Sequence, residues 1–593
     1  MTYGFTRTYN VTGAHPTRRE NQASEGAAAL AADPNRAWRF TYLSVPKEDF
    51  IKWLLLLALL VLFLPARAEN GARYVVICPD AMRAAIDPLV RWRQATGIST
   101  KVVPLSLIGN DTAAIEKYIH TADSAWQVKP EYVLLVGNGA TLPARLYKWG
   151  GWVYCSSDNI YADMTGDYEA ELAVGRFPAS TPAELEVMVA KTLKYEKNPD
   201  LTDSLWMRRL TTIVAEGGSS DDTIYWGNVR NAARKAHDAG FVNCDSLSSS
   251  RGHNSTDVMN SCNAGTGFVL YRGNAGNYWY WPFDQVTPDA ITATNKLPIV
   301  CSITCQTMTM DPTDPLMLGE QWLLSGELGD LHGGVAFFGN THPDDNVARQ
   351  RGAIARGFFD GLFDDNVWQL GRTAKRAKHQ LHAEFPADTY DYRGFTLYGD
   401  PALGIWTATP RRPVVQRPTS IPPGPQQLVV TVDWADTPIE SALVCASMDT
   451  FVYSYAYTDS LGRVALSITV PDTGRLRLVV TGKNLYPYDT LIPVGQTGVS
   501  DQTPVPVRGP FTLTASPNPC REAMAISLSP VASGFSPLAL SLYNASGRLI
   551  LSQPVLTSPF PLSASSLPSG VYLAVLRDRS GTALGRTRIT KLD

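Results

Sequence analysis

Residues 132–139 read YVLLVGNG, a run of five apolar residues that opens into a glycine-flanked turn. A short apolar run of this kind is typical of a strand that is buried on both faces of a sheet. Upstream of it, the periodicity predicts a helix at Thr112–Ala122, a strand at Lys101–Leu105, a helix at Ala84–Thr96 and a strand at Tyr74–Cys78. This βαβαβ order predicts a parallel sheet covered by helices, with its functional edge at the carboxyl ends of the strands.

The same alternation begins again after residue 205. The predicted strands of this second part are Leu210–Ala215, Gly267–Tyr271, Leu297–Ser302 and Val335–Gly339, and the predicted helices are Trp226–Ala239, Leu318–Leu324, Arg351–Leu362 and Val367–Phe385. We therefore predict two α/β halves, each with a parallel sheet, at residues 69–205 and 206–408.

The chain changes character at Pro410, where a proline-rich linker begins. From about residue 426 to 497, stretches of alternating polarity are separated by Asp/Gly turns, which predicts a small β-sandwich. A second proline-rich linker, Thr503–Pro510, leads to another all-β unit at 511–593.

Residues 1–68 are predicted to be a leader and signal peptide. Lys47 and Lys52 precede the apolar run Trp53–Leu64, and Pro65–Ala68 (PARA) supplies small residues before a cleavage site. The apolar run is shorter than the roughly 20 residues that a membrane-spanning helix needs. We expect export, with translation starting near Val45 and no stable transmembrane segment after cleavage, and an uncleaved signal-anchor is the alternative.

Composition limits the classes of function. The 593 residues carry 52 basic and 55 acidic side chains, without a Lys/Arg cluster, so nucleic acid is not an expected partner. The eight cysteines are widely and irregularly spaced and include no CxxC pair, which argues against a zinc site. Several of them lie in apolar runs, which favours buried free thiols over disulfides, although an exported protein can also form disulfides.

Cys305 is the candidate nucleophile. Residues 296–310 read KLPIVCSITCQTMTM, so Cys305 follows the apolar strand Ile299–Ile303 at the end where parallel sheets place their sites. A thiol there is expected to be partly exposed and to favour the thiolate. The alternative is a packed core thiol, which is the role we assign to Cys301.

Several stretches resemble the catalytic region of the gingipain-type cysteine peptidases, in order and spacing, over roughly residues 72–408. They are Ser157–Arg176, Val214–Ser220, Gly267–Ala275, Leu297–Cys305 and Tyr398–Leu403. The resemblance implies a caspase-like α/β catalytic region, a protein or peptide substrate, and a Cys–His dyad that hydrolyses peptide bonds with Cys305 as nucleophile. It also implies that the sandwich at 426–497 is immunoglobulin-like, and it requires no cofactor.

The sequence departs from the family pattern at the partner of the cysteine. The family has Y-x-G-H-G where residues 271–275 read YRGNA, so Asn274 occupies the histidine position. Asparagine cannot take or return a proton, and general acid–base help is typically worth about 10²–10⁴-fold. Two hypotheses follow: an active peptidase with an unusual dyad, or a catalytically inactive pseudopeptidase that binds extracellular ligands. A sortase-like acyl transferase on the same fold is a third.

Another histidine can in principle substitute for the missing one. His342 follows the strand Val335–Gly339 and is expected to emerge at the same sheet edge as Cys305, whereas His332 precedes that strand and is expected at the opposite edge. We therefore consider His342 a possible substitute base, and a solvated loop histidine is the alternative. Glu171 matches the position of the acid that orients the family's histidine.

The stretch around Glu171 also contains a candidate cation site. Asp163, Asp167 and Glu169 lie in an acidic turn whose oxygens suit Ca²⁺ as a structural ion. The turn lacks the full spacing of a calcium loop, so a hydrogen-bonded Asp-Gly turn is the alternative.

Aromatic residues crowd the segment after Asn274. Tyr278, Trp279, Tyr280 and Trp281 are consecutive. They predict a stacking surface for substrate, with Tyr278, Trp279 and Trp281 as its contacts, and aromatic core packing is the alternative.

The all-β tail has a resemblance of its own. Ala515–Pro519 (ASPNP), Leu542–Arg548 (LYNASGR) and Leu567–Tyr572 (LPSGVY) resemble a type IX secretion sorting domain or the related immunoglobulin-like module of exported bacterial proteins. The resemblance implies a secreted or cell-surface protein with the type IX secretion machinery as a partner.

Overall fold

The computed structural model describes residues 70–149, 152–343, 347–449, 451–495, 512–529, 538–544, 548–555, 557–578 and 583–593. The predicted signal peptide and the linker Thr503–Pro510 lie outside these residues. Glu69–Asp593 is one unit by its internal contacts. Within the described residues, no helix combines the length and the apolar character needed to cross a membrane.

The α/β region is built on one large sheet, whose strands alternate with helices along the chain. In chain order its strands are β1 (Tyr74–Cys78), β2 (Thr100–Pro104), β3 (Tyr132–Val136), β6 (Ala173–Phe177), β7 (Arg209–Val214), β8 (Asn243–Ser248), β9 (Phe268–Arg272), β10 (Ile299–Gln306), β11 (Ala336–Asn340) and β12 (Phe395–Tyr398); a separate hairpin is formed by β4 (Arg145–Trp149) and β5 (Trp152–Ser157).

The helices cover both faces of this sheet. They are α1 (Arg83–Ala95), α2 (Leu105–Ile108), α3 (Thr112–Ala125), α4 (Pro182–Lys197), α5 (Asp221–Asp238), α6 (Ser255–Ala264), α7 (Leu318–Leu324), α8 (Ala348–Phe363), α9 (Leu370–Glu384) and α10 (Thr389–Gly394). The predicted bounds of β1, β3 and α7 agree with the structure, and those of the other long elements that were predicted differ by a few residues.

The two predicted halves share a single sheet, which corrects the prediction of two parallel sheets. Its ten strands follow the order β2-β1-β3-β6-β12-β11-β10-β9-β7-β8. The joining strand is β12, which is fully buried, runs antiparallel to β11 and meets β6 in a parallel pair. The sheet is therefore mixed, because β12, the last strand of the region, lies between β6 and β11 and joins the two halves.

β10 is longer than predicted and irregular. Its pairing with β11 shifts register between Cys301 and Gln306, which then faces Asn340. Irregular strand segments of this kind re-aim side chains next to functional sites. Cys305 lies inside this segment rather than beyond the strand.

The rest of the described chain is β-rich, as predicted. The first unit packs two antiparallel sheets, one of β13 (Val414–Gln416), β14 (Gly424–Trp434), β15 (Thr437–Pro438) and β18 (Arg463–Val470), the other of β16 (Leu443–Met448), β17 (Val452–Tyr457), β19 (Gly474–Thr481) and β20 (Tyr488–Val494), around a common apolar core. The second unit contains β21 (Thr512–Ser516), β22 (Ala523–Ser529), β23 (Leu538–Asn544), β24 (Leu549–Val555), β25 (Phe560–Ser563), β26 (Gly570–Arg577) and β27 (Ala583–Lys591). The immunoglobulin-like assignment of either unit stays a prediction.

All eight cysteines are free in the structure, and only Cys244 is more than marginally accessible. The apolar runs around several of these cysteines favoured buried free thiols, and the structure agrees with that interpretation.

Candidate active site

The carboxyl ends of β9 and β10 bring two of the predicted residues to one edge of the sheet. Tyr271 pairs with Ser302 in register, so Asn274 and Cys305 each lie three residues beyond a matched pair. The Thr304 hydroxyl donates to the carbonyl of Gly273 at 2.6 Å and fastens the two strand ends together.

Cys305 is buried, which corrects the expectation of a partly exposed thiol. The residue is 3% exposed because β10 continues through it and helix α8 covers the strand end. From that helix, Nη1 of Arg351 donates to the Cys305 Sγ at 2.9 Å. A guanidinium keeps its charge under all physiological conditions, so this contact places a fixed positive charge beside the sulfur.

Arg351 is held in place by Asp391 of helix α10. Its Nε lies 3.0 Å from the Asp391 Oδ2, and its Nη2 lies 3.1 Å from Oδ1. Both side chains are buried. Burial opposes the charge on Arg351, but Asp391 and Cys305 outweigh it and raise the pKa of Arg351. Burial likewise opposes the charge on Asp391, and Arg351 and His342 together lower the pKa of that carboxyl.

His342 belongs to the same buried cluster. It follows β11, whose Asn340 pairs with Gln306 of β10, so the predicted placement at the edge that holds Cys305 is confirmed. The alternative of a solvated loop histidine is wrong, since the residue is 2% exposed. Its Nδ1 lies 2.9 Å from the Asp391 Oδ1, and its Nε2 is buried without a hydrogen-bond partner among the described residues.

Two tyrosines enclose the His342 ring. The ring of Tyr154 meets it edge-on at 4.4 Å between centroids, and the ring of Tyr390 stacks against it at 5.5 Å. These contacts fix the plane of the imidazole and keep Nε2 out of bulk water.

Asn274 is exposed, and its oxygen atoms accept hydrogen bonds from neighbouring tyrosines. Its Oδ1 accepts from the Tyr225 hydroxyl at 3.1 Å, and its main-chain oxygen accepts from the Tyr271 hydroxyl at 2.6 Å. Burial raises the pKa of Tyr225, and the charge of Cys305 adds to that shift, so Tyr225 lies within electrostatic reach of both residues. The amide can donate a hydrogen bond at this edge but cannot exchange a proton.

Glu171 is not placed to orient a histidine at this edge. Its Oε2 accepts from the backbone N–H of Met164 at 2.6 Å, and its Oε1 accepts from the Thr165 hydroxyl at 3.3 Å. The side chain therefore braces the acidic turn next to it. The acid that does bind a histidine at the sheet edge is Asp391.

The acidic turn itself has the geometry of an Asp-Gly turn. Asp163 accepts from the N–H groups of Gly166 at 2.7 Å and Tyr168 at 2.8 Å, and Asp167 accepts from that of Glu169 at 3.0 Å. Across the described ranges, no three His, Cys, Asp or Glu side chains are grouped to hold a metal ion. Binding of Ca²⁺ here stays a prediction.

The predicted aromatic surface is divided between core and solvent. Trp279 is 1% exposed, stacks on Tyr271 at 4.6 Å and donates to the Ser302 hydroxyl at 2.9 Å, so it packs in the core instead of contacting substrate. Trp281 is 78% exposed, and Tyr278 is partly exposed with its hydroxyl bound to Gln321. Trp279 thus anchors a short loop that presents its neighbours to solvent.

Arg351 and Asp391 were not identified from the sequence. Arg351 lies 46 residues after Cys305 in the sequence, and Asp391 lies a further 40 residues on. Their only local signal is polarity on elements that are otherwise buried: Arg351 interrupts the apolar face of α8, and Asp391 begins the short run Asp391-Tyr392-Arg393.

Comparison with known proteins agrees with this architecture. A model of peptidase family C25 matches residues 67–406, and a model of the secretion system C-terminal sorting domain matches residues 515–589. Since the first match spans more than half of the chain, the chain belongs to peptidase family C25, the gingipain family of cysteine peptidases. The sorting domain confirms the predicted type IX sorting tail and a secreted or cell-surface location.

The chain is similar to several proteins of Porphyromonas gingivalis. It is 23% identical to gingipain R2 of strain W83 over 480 residues, which cover 77% of this chain and 61% of that protein. It is 21% identical to Lys-gingipain HG66 over 463 residues, which cover 72% of this chain and 26% of that protein. The chain thus spans less than two thirds of the length of the curated relatives it matches.

Among solved structures, the chain is similar to the Arg-specific cysteine proteinase gingipain R. The TM-score is 0.64 at 21% identity, over 72% of this chain and 99% of that one. The complex of the pro- and mature domains of RgpB from Porphyromonas gingivalis gives the same TM-score of 0.64 at 20% identity. At these identities the likeness shows the α/β fold alone.

Proposed function

We propose that this chain is an exported cysteine peptidase in which Cys305 is the nucleophile and protein or peptide bonds are the substrate. The observation that supports the proposal most is the 2.9 Å contact between the Arg351 guanidinium and the Cys305 Sγ. It supplies by a fixed cation what a dyad histidine supplies by proton transfer, namely a thiolate.

The chemistry proposed is acyl transfer through the thiolate. The Cys305 sulfur attacks the carbonyl carbon of the scissile bond and forms a thioester, the amine leaves, and water hydrolyses the thioester. Asn274 is the proposed donor of a hydrogen bond to the oxyanion that develops on the carbonyl oxygen, a role for which an amide is suited.

The reactivity of Cys305 towards iodoacetamide tests the proposal. Residues 69–593 are labelled at pH 6.5 and 8.5, with Cys305→Ala as the control that identifies the reacting thiol by mass spectrometry. An unassisted thiol labels roughly 50-fold more slowly at the lower pH. We expect a difference of less than about fivefold at Cys305. A full 50-fold difference, or no labelling at either pH, would remove the proposed nucleophile.

The presence of Asn274 at the predicted position of the family's histidine favours a second candidate function, that of a pseudopeptidase. In this case the site binds peptides and does not cleave them. A casein digest incubated with the protein distinguishes the two: new cleavage products that depend on Cys305 support the peptidase, and retention of intact peptides without cleavage supports the binding protein.

The sorting tail gives the proposed partner outside the active site. The tail matched at residues 515–589 is the expected point of contact with the type IX secretion machinery. Removal of residues 512–593 from the expressed gene is expected to leave the α/β region folded and to abolish export. Continued export of the shortened protein would exclude the tail as the sorting signal.

A further inference from the structure

The buried cluster around Asp391 contains a histidine, His342, that is not needed to form the Cys305 thiolate. Arg351 already contacts the Cys305 sulfur, yet Asp391 also binds His342 through its Nδ1 at 2.9 Å. With Nδ1 directed at the carboxylate, Nε2 is the nitrogen that takes up or releases a proton. That nitrogen is buried and has no hydrogen-bond partner in the described part of the chain.

Asp391 connects His342 to the sulfur. Its Oδ1 accepts from His342, from the Asn340 side-chain amide at 2.8 Å and from the Arg351 Nη2 at 3.1 Å. Nη1 of the same guanidinium contacts Cys305. The carbonyl of His342 also lies 3.5 Å from the Arg351 Nη2. The Cys305 sulfur contacts this cation directly, and the His342 imidazole is linked to it through Asp391.

We propose that this cluster is a relocated catalytic centre, in which His342 carries the proton that Asn274 cannot carry and Asp391 is the positioning residue for both His342 and Arg351. The inference rests on the proposed function, since it requires Cys305 as nucleophile. It moves the proton-transfer group from the loop after β9 to the loop after β11, on the other side of the strand that holds the cysteine.

The reaction balances with these groups alone. The thiolate attacks the carbonyl carbon, the C–S bond forms, and the carbonyl electron pair moves to oxygen. The C–N bond then breaks, and the leaving amine takes the proton from the protonated His342 Nε2. Water next returns a proton to Nε2 as its oxygen attacks the thioester carbon, and the C–S bond breaks to restore the thiolate.

A comparison of two leaving groups distinguishes proton transfer by His342 from any other role of this residue. An amine cannot leave a tetrahedral intermediate without a proton, whereas p-nitrophenolate leaves as an anion. Loss of a general acid therefore slows an anilide by about 10²–10⁴-fold but leaves acylation by the matching ester almost unchanged. A merely structural role of the histidine would lower both rates together.

The experiment compares His342→Gln with wild type on two substrates made from one N-acetyl amino acid, its p-nitroanilide and its p-nitrophenyl ester. The amino acid is the one whose p-nitrophenyl ester the wild type hydrolyses fastest. We expect kcat/KM to fall at least 100-fold for the anilide and less than tenfold for the ester. His332→Gln is the matched control, since His332 lies before β11 with its Nδ1 3.6 Å from Asp330, and it is expected to change neither rate.

Two further results decide the inference. Labelling of Cys305 at pH 6.5 is expected to survive in His342→Gln, and Asn274→His added to that variant is expected to restore anilide hydrolysis, which also shows that the variant is folded. Equal losses on both substrates, or no loss on either, would overturn the role of His342. If Cys305 of the wild type is not labelled at all, the proposed function itself is wrong.

Discussion

Replacement of Arg351 tests the link between the buried cation and the reactivity of Cys305. In Arg351→Met the side chain keeps much of its volume on α8 but loses the charge beside the sulfur. The contact joins Nη1 and Sγ at 2.9 Å, and the centre of the guanidinium charge lies about 4 Å from the sulfur. Two unit charges at that separation interact by about 4 kcal/mol at an effective dielectric constant of 20.

Only part of this energy acts on the thiolate. The guanidinium is shared with Asp391, and the burial of Cys305 disfavours a charge on the sulfur. If half of the interaction survives, about 2 kcal/mol, the thiolate population falls roughly 30-fold, since 1.4 kcal/mol corresponds to a factor of ten. We therefore expect Arg351→Met to lower the second-order rate of iodoacetamide labelling at pH 6.5 by about 10- to 100-fold.

The substitution leaves Asp391 without its ion-pair partner, which by itself costs about 3–5 kcal/mol in buried pairs. Arg351→Lys keeps the charge and serves as the folded comparison, with an intermediate labelling rate because a lysine cannot contact both groups through a planar fork. Arg356→Gln on the same helix is the control, since Arg356 pairs with Glu384 at the surface. An unchanged labelling rate in folded Arg351→Met would refute the reasoning.

Three other substitutions follow from the structure. Asn274→His in the otherwise unchanged protein is expected to change kcat/KM for an anilide by less than about tenfold, because His342 already carries the proton and the substitution removes the proposed oxyanion donor; a gain of about 10²-fold would show that the wild type lacks a proton carrier. Burial raises the pKa of Glu320 to about 7. As the pH rises from 4.5 to 7, the wild type is therefore expected to lose up to about 3 kcal/mol in free energy of unfolding relative to Glu320→Gln. Urea midpoints that change equally in the two proteins between pH 5 and pH 8 would contradict this. Trp279→Ala is expected to cost about 3–5 kcal/mol and Trp281→Ala less than about 0.5 kcal/mol by the same urea titration, and equal costs would place both rings in one environment.

The sequence predicts best the parts that repeat with a regular period. β3 and α7 have the predicted bounds because an apolar run and a helical stripe depend on neighbouring residues alone. Cys305 and His342 were placed at the correct edge by the rule that sites lie at the carboxyl ends of parallel strands.

Other parts depend on contacts that no local pattern contains. The antiparallel direction of β12 follows from the space between two halves of the sheet. The inward turn of Trp279 depends on the ring of Tyr271, to which it is stacked, and the position of Arg351 depends on the packing of α8 over β10. For the same reason the burial of Cys305 was missed, since a strand end is exposed only if no helix covers it.

The energetics of the Asp391 cluster argue that it is kept for chemistry rather than for stability. Four polar side chains, Cys305, His342, Arg351 and Asp391, are all buried in one place. A buried ion pair gains little over apolar residues of the same volume, and often loses to them, because both charges give up their hydration. A core thiol needs no cation beside it, and a core histidine is stable only when both ring nitrogens are satisfied, which is not so for the Nε2 of His342 among the described residues. An arrangement that costs stability in this way is expected where a thiolate and a proton carrier are used, so an asparagine at position 274 does not by itself imply an inactive enzyme.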